Sequence, residues 1–214
     1  MLKEKNKSKK KSLYVIGSLL ILSSISIVGF KHYKEYKNTE SEETAIHEYY
    51  KITNEEVKVE TTTSKENVVK EEVKENKEVS NYIAILRIPK INLKRGLVDK
   101  ESKYNDIKYN IMIHNRSTSP DVIGGNVILL AHSGTSKVSY FKNLDKLKLN
   151  DIVYLDYNGK TYKYKLINIY DIEKNGKAVI KKNTKKSSIT LITCRTNTNK
   201  QIVLIGEQLS EIEN

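Results

Sequence analysis

The run Ile189-Thr190-Leu191-Ile192-Thr193-Cys194 constrains this chain more than any other, because it is short, apolar and β-branched and carries the only cysteine at its end. Such a run is a strand that presents a thiol. A second run of the same kind, Asn126-Val127-Ile128-Leu129-Leu130-Ala131-His132, follows Gly124-Gly125 and ends on a histidine before Ser133-Gly134. Alone, a strand-end cysteine is ordinarily a small buried hydrophobe, and a strand-end histidine is just as ordinary. Together, in the order His then Cys, they point to covalent acyl transfer, in which an imidazole assists a thiol nucleophile.

The 214 residues allow one ordinary domain with additions, and a hydrophobic content of 38% implies that part of the chain is unpacked. The formal charge of +12 comes from 38 basic and 26 acidic residues spread along the chain, with no nucleic-acid-binding motif beside them. Anionic lipid and cell-wall polymer are the expected partners, and nucleic acid is not. One cysteine excludes an intramolecular disulfide and a multi-cysteine zinc site. Asp145, Asp151, Asp156 and Asp171 lack EF-hand spacing, and Gly124-Gly125 lacks the Lys-Ser/Thr of a phosphate loop. No metal or cofactor is expected.

Residues 1–11 hold Lys3, Lys5, Lys7, Lys9, Lys10 and Lys11, and residues 12–30 are uncharged. As a helix, Leu13 to Phe30 would be roughly 27 Å long, enough to span a bilayer. The leading lysines place 1–11 in the cytoplasm, 12–30 as a single-pass anchor and the remainder outside. A cleaved signal peptide is the alternative, although no A-x-A-like site precedes a cut. Residues 31–80 are dominated by Lys, Glu, Thr and Asn, without proline, and read as a charged stalk, part helical and part disordered. Within it Tyr49 and Tyr50 fit either local packing or a lipid surface.

The globular domain is expected over 81–214. Tyr82 to Pro89 reads as a strand, Ile91 to Val98 as a second, and Tyr104 to His114 as a helical turn and then a third. Asn126 to His132 reads as a buried strand, since its consecutive aliphatics leave no polar face. Tyr140 to Leu147 has helical spacing. Asp151 to Tyr157 and Thr161 to Ile172 form a hairpin about Asn158-Gly159, because an Asn-Gly pair accepts positive φ. Ile189 to Cys194 and Gln201 to Gln208 are the last two strands. Many short strands with few helices indicate an all-β barrel.

Leu191-Ile192-Thr193-Cys194 and Ala131-His132-Ser133-Gly134 resemble the T-L-x-T-C and histidine motifs of the sortases, membrane-anchored cysteine transpeptidases. The resemblance extends from about Asn81 to Gln208 and implies an eight-stranded β-barrel with short helices. It also implies that Cys194 attacks an LPxTG-like sorting signal of a surface protein and that an amine resolves the acyl-thioester, with His132 as acid and base. The amine belongs to a cell-wall precursor or a pilin lysine. The family's arginine on the final strand has no counterpart; the matching place falls on Gln201, with Arg195 next and Lys200 or Arg116 behind. Papain-like hydrolases place the cysteine first, at a helix N-terminus, unlike this chain. A nonenzymatic adhesion or scaffold module on a stalk is the other class of reading, and it leaves the two motifs unexplained.

Overall fold

After residue 81, runs of apolar and β-branched residues form the strands. The computed structural model describes residues 19–20, 22–31, 33, 37, 40–53, 82–180 and 183–209. By contacts the chain divides into two compact units, Met1–Thr44 and Ala45–Asn214.

In the first unit, residues 22–31 are helical, and Leu22, Ile25, Ile27, Val28 and Phe30 are exposed. Among the described residues no helix is long and apolar enough to cross a membrane. The expected span over 12–30 includes 12–18 and 21, which lie outside the described residues.

Among the described residues the second unit contains eight strands: β1 Tyr82–Ile88, β2 Leu93–Val98, β3 Met112–Ile113, β4 Asn126–Leu130, β5 Ile152–Tyr157, β6 Lys160–Glu173, β7 Ser188–Cys194 and β8 Lys200–Gln208. They form one sheet in the order β2-β1-β5-β6-β8-β7-β4-β3. Every neighbouring pair is antiparallel except β4 and β7. The two edges, β2 and β3, approach each other: Asn110 Nδ2 donates to the Gly96 carbonyl on β2 at 2.9 Å, and its Oδ1 accepts from Arg95 Nε at 2.8 Å. The sheet is thus a nearly closed barrel, filled by Leu86, Ile88, Leu97, Leu129, Leu155, Leu166, Ile189, Leu191, Ile202 and Leu204. The β5–β6 turn is the expected one, with Asn158 at φ 48° and Gly159 at φ 71°.

Three local expectations change. Tyr140 to Leu147 is a turn with a three-residue 3-10 segment, Leu144–Lys146, not an α-helix. Its apolar spacing comes from Phe141 and Leu144, which plug the barrel as separate anchors. Pro89–Ile91 is likewise a 3-10 turn before β2, closed by Asn92 at φ 51°. β4 is not buried on both faces, because Ile128 and Leu130 are half-buried and point out of the barrel.

Residues 45–53, inside the stretch expected as stalk, are helical and buried against β1. A helix this short is marginal in water, so docking sustains it. Ala45, Ile46 and Tyr49 pack on Tyr82, Ile85 and Val98. Burying Ile46 alone contributes about 1.5–3 kcal/mol. Tyr49 Oη donates to the Asp156 carbonyl at 3.2 Å, and Tyr50 Oη donates to Asp156 Oδ2. The same carboxylate receives Arg87 Nε at 2.6 Å and a second Arg87 nitrogen at 2.7 Å, together with Thr161 Oγ1 at 2.6 Å. Burial pushes the Asp156 carboxyl up, but hydrogen bonds from Arg87, Thr161 and Tyr50 outweigh it and hold the group below the usual carboxylate range. A folded pKa below the unfolded value of about 3.9 gives stability that is present above that pH and is lost as pH falls through the folded value. Asp156→Asn should therefore cost about 2–3 kcal/mol at pH 7, discounted for the part-exposed Arg87. Denaturant midpoints measured down to pH 3 should show the gap to the parent closing; a gap independent of pH would contradict this expectation.

Candidate active site

Along β7, Ile189 and Leu191 face the core, so Ile192 and Cys194 face outward at the other pleat positions. Cys194 ends the strand half-buried. Directly opposite it on β8 is Gln201. Directly paired residues share a face, with Cβ atoms about 4.5–5.5 Å apart. Gln201 is itself half-buried.

β4 runs parallel to β7, with Leu130 beside Ile192. Beyond the last ladder pair, the Ala131 N–H donates to the Ile192 carbonyl at 3.4 Å, and Thr193 Oγ1 donates to the Ala131 carbonyl at 2.7 Å. The buried Thr193 hydroxyl thus ties the residue before the cysteine to the residue before the histidine. The paired residues Leu130 and Ile192 precede His132 and Cys194 by two positions each. His132 is exposed, and its carbonyl accepts the Phe141 N–H at 3.0 Å. Since Phe141 is fully buried, the loop after His132 is closed onto the core.

Arg195 does not share this face. Its Nε pairs with Asp171 Oδ1 at 2.6 Å, and Asp171 lies opposite the core-facing Ile202. Arg116 lies toward the other end of β4. Its N–H donates to His114 Nδ1 at 3.1 Å, and the His114 N–H donates to the Ile128 carbonyl at 2.9 Å. Ile128 precedes His132 by four residues, about 13 Å along the strand. Lys200 is exposed and pairs with Glu173 in the ladder. Among the described residues no group of three or more His, Cys, Asp or Glu could hold a metal.

The outward face continues from Cys194 as an apolar floor. Val203 and Ile205 are buried although they point away from the barrel core, and Ile205 lines a cavity together with Val179 and Asn183 of the connection from β6 to β7. Tyr170 Oη donates to the Val179 carbonyl at 2.8 Å, and Asn183 Nδ2 to Glu207 Oε1 at 3.2 Å. Beneath the connection is a cavity of about 580 Å³ lined by Ile167, Asn168, Tyr170, Val179, Asn183, Ile205 and Glu207. Thr193 belongs to the motif around the cysteine, whereas nothing in the sequence signals this cavity.

Cys194 and Gln201 thus face each other at the paired ends of β7 and β8, and His132 follows the end of β4 by two residues. A Sortase domain family model matches residues 86–208, more than half of the chain, and the chain belongs to the sortase family. The family implies a cysteine transpeptidase in general terms. Among solved structures, the barrel is similar to sortase C1 of GBS Pilus Island 1, with 21% identity, 64% of this chain and 68% of the other covered, and a TM-score of 0.55. It is also similar to sortase C-1 from Actinomyces oris, at 22% identity, 62% and 76% coverage and a TM-score of 0.54. Sortase A from Corynebacterium diphtheriae gives 22% identity, 62% and 63% coverage and a TM-score of 0.53. At these identities the likeness establishes the fold. No curated protein matches the sequence.

Proposed function

We propose that this chain cleaves an LPxTG-like sorting signal of surface proteins and transfers the acyl part to an amine. The observation that supports this reading is the register that pairs Cys194 with Gln201 and pairs Leu130 with Ile192, two residues before His132 and Cys194. Cys194 Sγ bonds to the scissile carbonyl carbon as its proton passes to His132. The C–N bond then breaks, and His132 returns the proton to the leaving amine. An incoming amine attacks the thioester, gives its proton to His132 and releases the thiol, so that one amide replaces another and no net water is consumed. The apolar floor along Ile192 and Val203 receives the peptide. Incubating residues 40–214 with sorting-signal peptides and amine acceptors should yield the new amide by mass spectrometry. A nonenzymatic adhesion module would yield none.

The third group is Gln201, whose side-chain amide offers one neutral donor to the oxyanion. Losing one such donor costs about 10²–10³-fold in turnover. Gln201→Ala should slow acylation to that extent at unchanged stability, whereas Gln201→Arg should retain or raise the rate. A silent Gln201→Ala with an inactive Arg195→Ala would move the oxyanion role to Arg195.

Residues 12–30 anchor the chain in the cell membrane, with 1–11 cytoplasmic and the barrel outside, as the uncharged run behind six lysines leads one to expect. Protease added to intact cells should release the barrel. Complete protection would refute this topology.

A further inference from the structure

The connection over the cleft carries a charge that the transfer reaction itself does not need. Lys174, Lys177, Lys185 and Lys186 are all exposed. Among the described residues none of their ammonium groups makes an ion pair. Of the described carboxylates on the flanking strands β6 and β8, Asp171 is held by Arg195 and Glu207 by Asn183, and Glu173 remains. The backbone positions of these lysines fall toward both ends of the connection. The Lys174 N–H donates to the Asn199 carbonyl, beside the β7–β8 turn at the Cys194 end, while Lys185 and Lys186 precede β7 at the far end. The Lys185 N–H donates to Asn183 Oδ1 at 3.0 Å, and Asn183 lines the cavity.

We infer that this row of lysines makes the cleft select an acidic peptide, a sorting signal whose neighbouring residues carry carboxylates. The inference rests on the peptide cleft proposed above and adds to it the chemistry of the substrate. Four exposed cations with no ion pair among the described residues, beside a low-dielectric floor, focus the field on whatever lies in the cleft. At physiological salt the Debye length is about 8 Å, so a carboxylate must lie in or beside the cleft to benefit. An extended peptide advances about 3.3 Å per residue, and Ile205 is four residues from Gln201 along β8, so the charges read are those within about five residues of the cleaved bond. Selection of this kind acts on encounter and on rejection of cationic competitors more than on the chemical step.

The test uses the full chain in detergent and three peptides with one sorting signal, flanked within five residues by glutamate, glutamine or lysine. Binding to the Cys194→Ala chain is read by fluorescence anisotropy, and acylation of the parent by mass spectrometry. The glutamate peptide should bind at least about tenfold more tightly than the glutamine peptide at low salt, and the lysine peptide most weakly. The preference should vanish at 1 M salt and in the variant Lys174→Gln, Lys177→Gln, Lys185→Gln, Lys186→Gln, which should still acylate with the glutamine peptide at the parental rate. Equal binding of all three peptides overturns the inference whether or not acylation occurs. Absence of acylation with charge-selective binding overturns the transferase reading alone. If vesicles of anionic lipid bind through these lysines while the peptides do not discriminate, the surface serves the membrane and the inference falls.

Discussion

Cys194→Ala should abolish acyl transfer altogether while changing stability by about 1 kcal/mol or less. The side chain removed is small and half-buried at a strand end, where substitutions have little energetic consequence. The ladder between β7 and β8 is made by backbone groups and by Leu191 and Leu204 in the core, none of which the change touches. No other residue supplies a sulfur nucleophile, since this is the only cysteine. Acyl transfer and the denaturant midpoint, measured on one preparation, separate loss of chemistry from loss of fold. Residual transfer above background in the alanine variant would mean that the acyl group travels on another residue.

His132→Ala should slow both half-reactions by about 10²–10⁴-fold, the usual worth of a positioned acid and base. The choice of His132 in the proposed site is supported by the register: β4 and β7 are parallel, and the Thr193 hydroxyl holds the carbonyl of Ala131, the residue before His132. His114 is the internal control. It lies level with Ile128 and receives the Arg116 N–H, well down β4 from Cys194, so His114→Ala should leave the rates within about twofold. An inactive His114 variant beside an active His132 variant would reverse the assignment.

Strands with strong local signals are legible in the amino-acid sequence alone. Ile189 to Cys194 is β-branched and apolar from end to end, and Asn158-Gly159 specifies its own turn, so β5, β6 and β7 lie within a few residues of expectation. What is not legible depends on partners distant in sequence. Helical residues 45–53 sit in a charged stretch, and only the barrel surface at Ile85 and Val98 explains why Ile46 and Tyr49 are apolar there. Phe141 and Leu144 mimic a helix because two turn anchors happen to fall three residues apart. The aliphatics of β4 resemble a strand buried on both faces, yet Ile128 and Leu130 face outward beside Ile192. Analogy with an arginine singles out Gln201, whereas its pairing with Cys194 is a matter of register, which no local pattern exposes.

That Cys194 carries the acyl group is the central claim, and one measurement tests it most directly: the intact mass of residues 40–214 mixed with a sorting-signal peptide and no amine, followed by peptide mapping. The predicted result is a gain equal to the amino-terminal part of the cleaved peptide, located on Cys194, released by hydroxylamine and absent from Cys194→Ala. A chain that turns over the peptide without this adduct, or that carries it on another residue, would contradict the claim.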